Sequence, residues 1–193
     1  MTALLVLLAI VVLAGFLVIG AYNRLVALRQ NANEAFADID VQLKQRQDLV
    51  TNLVETVKGY AAHERGTLDE VTQARAAAVG AAGVEQRAQA ENALTGALGR
   101  LMAVAEAYPD LKANQNFLDL QGQLRDTEDK IAISRQVYND TVLTFNNAIQ
   151  VFPAVLLAGA LGFSKREFFE IDDAAERDAP QVSFTPSGDA PSA

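Results

Sequence analysis

The first 23 residues contain no charged side chain, and Leu4 to Ile19 is an almost unbroken run of Leu, Val, Ile and Ala with Gly15 and Phe16 inside it. A bilayer core about 30 Å thick is crossed by about 20 such residues in helix, because the helix satisfies every backbone N–H and C=O within the segment. Whatever follows is expected to be held at a membrane.

The flanks favour a retained anchor over a cleaved leader. A secretory signal has a basic start, an apolar centre of about 7 to 15 residues and a small-x-small cleavage site. Here no Lys or Arg precedes the run, the run is longer, and Ile19-Gly20-Ala21 is a poor site. The absence of Cys excludes a lipid-modified cysteine. Arg24 and Arg29 follow the span, and the positive-inside rule places that side in the cytoplasm, with a short N-terminus outside the cell.

Some 170 residues remain, about one domain's worth. With no Cys, disulfides, thiolate metal sites and a cysteine nucleophile are all ruled out. A net charge of −8 and a pI near 4.6 argue against nucleic acid as a partner and against a polybasic lipid-binding surface.

Apolar or small residues recur at steps of three and four from Leu25 through Leu28, Ala32, Ala35, Ile39, Leu43, Val50, Leu53 and Val57 to Tyr60, with Arg46 filling the place between Leu43 and Val50. That is one buried face of a helix, and with no Gly or Pro between Ala21 and Lys58 the span runs straight into it. The part beyond the membrane reaches about 60 Å at 1.5 Å per residue. A second helix is expected from about Glu64 to Val79, a turn at Gly80-Ala81-Ala82-Gly83, and a third, Ala-rich helix to Tyr108, stopped by Pro109. The fourth carries Phe117, Leu120, Leu124, Thr127, Ile131, Ser134, Tyr138, Thr141, Phe145, Ala148 and Phe152 on one stripe, with Pro153 closing it. No strand is expected, except for a short one at Val182 to Phe184.

These elements predict an all-α fold: a transmembrane helix at residues 1–21, continuous with an antiparallel up-and-down four-helix bundle at 22–163 with coiled-coil-like packing. Two of its helices are long and two shorter, and the short hairpin covers the end far from the membrane. Residues 164–193 are expected to form an acidic, mostly disordered tail, since its Ala, Pro, Ser and acidic composition buries too little to order itself. The run from Val151 to Phe163 is too short to span and returns close to the bilayer. It either lies at the lipid interface or folds back on the base of the bundle, with Phe152, Leu156, Leu157, Leu161 and Phe163 as the membrane-proximal contact residues. The fold-back is favoured, because an interfacial helix carries a basic polar face, which this run lacks before Lys165.

Chemistry-bearing patterns are sparse. His63-Glu64 cannot open a zinc helix without a second His four residues on, and this chain has one His. Asp38, Asp40, Asp48, Glu55, Asp126, Glu128 and Asp129 could converge in a bundle, but carboxylate metal sites there add Glu-x-x-His pairs, which are missing. The plain reading is a solvated face, with Lys44, Arg46, Arg125, Lys130 and Arg135 as ion-pair partners. Arg46 is the exception, since it occupies a stripe position between Leu43 and Val50. A guanidinium there requires a carboxylate from a facing helix and sets register more than it adds stability. Thr127, Ser134 and Tyr138 occupy the same kind of position in the fourth helix. No phosphate loop, nucleotide fingerprint or catalytic triad order appears, so no enzyme and no cofactor are expected.

Tyr22-Asn23-Arg24-Leu25-Val26, Asn52-Leu53-Val54-Glu55-Thr56-Val57-Lys58-Gly59-Tyr60 and Ala103 to Asn114 carry a wider pattern. Ile39 to Lys44, Thr127-Glu128, Tyr138-Asn139, Phe145-Asn146 and Phe152-Pro153 extend it. In these segments the chain resembles the LemA family of bacterial membrane proteins. It departs at Thr51, where the family commonly shows Pro, so the first helix should be straighter here. The resemblance implies a single N-terminal span, a cytoplasmic helical bundle and no established enzymatic activity. It also implies company, such as a membrane zinc metalloprotease or a small membrane-associated partner, and a likeness to proteins that shape magnetosome membranes. Three functions are open at this point: a self-associating or docking scaffold, an adaptor of an envelope-stress or membrane-protease pathway, and an enzyme with an unrecognised carboxylate site.

Overall fold

In the computed structural model, described here over residues 1–170, α1 runs without a break from Thr2 to Lys58. At 1.5 Å per residue its 57 residues measure about 85 Å. Thr51 continues the helix, its hydroxyl donating to the Gln47 carbonyl. The side chains of residues 1–20 are exposed, and the buried face starts at Leu25.

Three shorter helices follow, α2 (Arg65–Gly80), α3 (Val84–Ala105) and α4 (Pro109–Lys112), and then the long α5 (Gln115–Ala148). No strand occurs among the described residues. Gly83 opens α3 with φ +80°, a conformation that side chains with a Cβ rarely adopt. Pro109, expected only to stop the third helix, instead starts α4, where its missing N–H has no helical bond to lose. The expected fourth helix is α5, capped by the Asn114 side chain accepting from Phe117 N at 3.1 Å. It ends at Ala148, four residues before Phe152, and a single 3-10 turn at Ala154–Leu156 follows.

The core has three storeys. Farthest from the apolar end, Val50, Leu53, Val54 and Val57 of α1 meet the α2–α3 hairpin at Val71, Leu94 and Leu101, as expected for a hairpin on the distal half. In the middle, Ala32, Ile39 and Leu43 pack on Ile131, Tyr138 and Val142 of α5. At the base, Leu25 meets Phe145, Ile149, Ala154, Ala158 and Phe163.

The packed body reaches beyond Phe163, the expected domain boundary. Residues 164–170 run back along the α1–α5 pair as an extended strap, and Phe169 is fully buried in the middle storey. The expected disordered tail, and the short strand at Val182 to Phe184, otherwise lie outside the described residues.

Candidate functional site

Two features stand out, a polar knot inside the bundle and an apolar foot at its base. The knot centres on Arg46, which is 2% exposed. A guanidinium offers five N–H donors in a rigid fork and cannot shed its charge, so withdrawing it from water demands several acceptors. Its Nη1 donates to Glu91 Oε2 of α3 at 2.7 Å and its Nη2 to Thr95 Oγ1 at 2.7 Å. Its Nε lies 2.7 Å from Glu128 Oε1 of α5, a charge contact off the line of the N–H. One side chain of α1 thereby ties α3 and α5 at the same level.

Glu91 is 1% exposed, and its second oxygen accepts from Gln47 Nε2 at 3.3 Å. Glu128 is 39% exposed on its outer side. Burial lifts its carboxyl above the ordinary value of 4.5, against the pull of Arg46 and with a further push from Glu91. A cavity of about 290 Å³ beside the knot is lined by Arg46, Glu91, Thr95, Glu128 and Arg135, and Phe169 of the strap closes one wall. The Arg135 guanidinium sits 5.7 Å from the Phe169 ring centre, within cation–π range.

Arg46 therefore has the facing carboxylate that its stripe position demands, and a second one besides. Thr127 is buried, but its hydroxyl donates to Gln123 O in its own helix and joins no neighbour, unlike the interhelical role its position suggested. Ser134 is half-buried. Tyr138 is buried against Phe36, its ring 5.5 Å from that of Phe36, and its hydroxyl donates to Glu167 O of the strap at 2.9 Å. Burial raises its phenol above the usual tyrosine value. Asp40 pairs with Arg87, and His63 is exposed in the turn between α1 and α2. Among the described residues no group of three His, Cys, Asp or Glu is placed to hold a metal ion.

Sequence reasoning missed the fastening of the strap. Asn146 accepts from Arg166 N at 2.8 Å and donates to Arg166 O at 2.9 Å. Asn139, seven residues earlier on the same face, treats Phe169 the same way at 2.8 and 3.3 Å. Two side-chain amides thus supply the pairing that a neighbouring strand would give an extended segment. The available signal was this seven-residue spacing beside the Tyr138–Phe145 stripe.

At the foot, Phe163 is buried under Arg29, whose guanidinium lies 5.0 Å from the ring centre, and beside Tyr22 at 5.8 Å. Phe152 and Leu156, by contrast, are 78% and 72% exposed, with Leu161 exposed and Leu157 half-buried. Both readings of this run describe part of it: Ala154, Ala158 and Phe163 fold back on the base, while Phe152 and Leu156 face outward.

Magnetosome protein MamQ of Magnetospirillum gryphiswaldense is 29% identical, with 77% of this chain and 64% of that protein covered. Magnetosome protein MamQ 2 of Paramagnetospirillum magneticum is 27% identical over the same shares. Protein LemA of Metamycoplasma hominis is 27% identical, covering 71% of this chain and 63% of that protein. The chain thus spans a little under two thirds of the length of these curated relatives. The model of the LemA family matches residues 35–184, most of the chain, and the protein belongs to that family.

Proposed function

We propose that this protein is a membrane-anchored, non-enzymatic scaffold whose bundle stands in the cytoplasm and docks further copies or other membrane proteins. The observation that carries this reading is the continuity of α1, whose first 20 residues are apolar and exposed while the rest supplies the longest packing face of the bundle. Arg24 and Arg29 at the exit favour the cytoplasmic side. The knot at Arg46 has a register-setting character: it joins three helices through charges, with the Glu91 and Glu128 carboxylates held by Arg46 and the Thr95 hydroxyl engaged with Arg46 and with Glu91 O.

Self-association would use the outer face of α5, where Ile133 and Val137 stand one turn apart in solvent. The same tether would hold a membrane-protein partner, such as a zinc metalloprotease, beside the bundle. Because the chain has no Cys, Val137→Cys creates a single cross-linking site. In native membranes this variant is expected to give a discrete cross-linked complex that survives mild detergent. A strictly monomeric protein with no co-purifying partner would contradict the proposal.

A further inference from the structure

The foot of the bundle meets the apolar end of α1 in a way that sets its depth. A cavity of about 280 Å³ is lined by Phe16, Leu17 and Arg24 of α1 together with Val151, Phe152 and Pro153. Phe16 precedes Arg24, the first charge of the chain, by eight residues, or about 12 Å of helix. Phe152 therefore shares a cavity wall with Phe16, Leu17 and Gly20, residues on the lipid side of Arg24 that the anchored reading places in the bilayer.

The charges around it point the same way. Across α1 up to Asn33, and from Thr141 to Arg166, there is no acidic residue, although the whole chain carries −8. The charges in these stretches are Arg24, Arg29, Lys165 and Arg166. Arg29 lies over Phe163, and Arg166 Nη1 donates to Asn33 Oδ1 at 2.6 Å, so strap and stalk bring their cations together above the apolar loop. The basic face that the loop lacks in its own sequence is thus supplied by its neighbours.

We propose that residues 151–161 form a second membrane contact, a monotopic wedge that inserts Phe152 and Leu156 into the acyl boundary of one leaflet while Arg24, Arg29, Lys165 and Arg166 meet its anionic headgroups. An interfacial element of this kind sits about 5–10 Å into the headgroup and acyl boundary, within the roughly 12 Å of helix from Arg24 to Phe16 that lines the same cavity as Phe152. The wedge fixes the tilt and rotation of the bundle on the bilayer, which a single span leaves free. This rests on the anchored reading of α1.

The chain has no Trp, so one introduced indole reports one position. Full-length Phe152→Trp, Leu8→Trp and Leu118→Trp variants would be compared in vesicles of phosphatidylcholine and phosphatidylglycerol, with and without acyl-brominated lipid. Leu8 marks the span and Leu118 an exposed site on α5 far from the base. The expected result is loss of emission at positions 8 and 152 and none at 118. Leu156→Trp, equally exposed, repeats the test should Phe152→Trp misfold. Quenching at 8 with position 152 as bright as 118 overturns the wedge and leaves the anchor standing. No quenching at 8 overturns the anchor itself. A blue-shifted but unquenched indole at 152 that tracks protein density assigns the surface to a second copy and also overturns the proposal.

Discussion

Arg46 and Glu91, 45 residues apart in the chain, meet at 2.7 Å between α1 and α3, both withdrawn from water. Removing Arg46 leaves Glu91 buried without a counter-charge, a break that costs about 3–5 kcal/mol, and removing Glu91 leaves Arg46 with the part-exposed Glu128, whereas replacing both with apolar groups of similar volume is close to neutral. Arg46→Met and Glu91→Leu should each lower the denaturant midpoint sharply, and the double variant should recover most of the loss. Equal and additive losses would mean that the pair is not coupled.

Glu128 gives the knot a pH dependence of defined sign. Burial holds its folded carboxyl above 4.5, so the folded state binds that proton more tightly than the unfolded chain. The stability it contributes is fully present below 4.5 and is lost as pH rises through the folded value. Glu128→Gln stays neutral throughout. The difference in denaturant midpoint should therefore move in favour of the variant between acid and neutral pH, and a shift towards the wild type would contradict it.

The strap should detach before the bundle unfolds. Asn146→Ala removes both hydrogen bonds to Arg166, and Asn139→Ala both to Phe169. Each substitution should release the corresponding amide to fast hydrogen exchange while amides of α1 keep their protection. Phe169→Ala empties a core position and should release the whole segment 164–170.

Two glycines should respond in opposite directions. Gly83 has φ +80°, so Gly83→Ala should lower stability by about 1–3 kcal/mol. Gly122 lies inside α5 with open space where a Cβ would sit, and Gly122→Ala should raise stability by about 0.5–1 kcal/mol. Thermal unfolding of both variants checks the pair.

The helices and the long rod were legible because a period of three and four residues survives without knowledge of neighbours. The charge at Arg46 was legible for the same reason, as a break in an apolar stripe. Glu91 was not, because on the Ala-rich α3 a glutamate among small residues reads as a solvated position until Arg46 is brought against it. The strap was hidden more deeply. Phe168-Phe169 stands among Lys, Arg and Glu, and the side chains that hold that segment extended, the amides of Asn139 and Asn146 and the Tyr138 hydroxyl, come from a helix some 20 to 30 residues earlier. The foot was half legible: its apolar run was visible, but the cations over it come from α1 and from beyond Phe163.

The continuity of α1 from the apolar segment into the bundle is tested most directly by one distance. Ala9 and Glu34 are both exposed, and 25 residues of straight helix place them on nearly the same face about 38 Å apart. With no native Cys, spin labels at Ala9→Cys and Glu34→Cys can be placed cleanly, and the full-length protein in lipid nanodiscs measured by pulsed dipolar spectroscopy. One narrow distance peak near about 38 Å is the result expected of an unbroken rod. A broad distribution, or a peak well short of that value, would show a hinge at the membrane exit and contradict the account of a bundle held rigidly on its anchor.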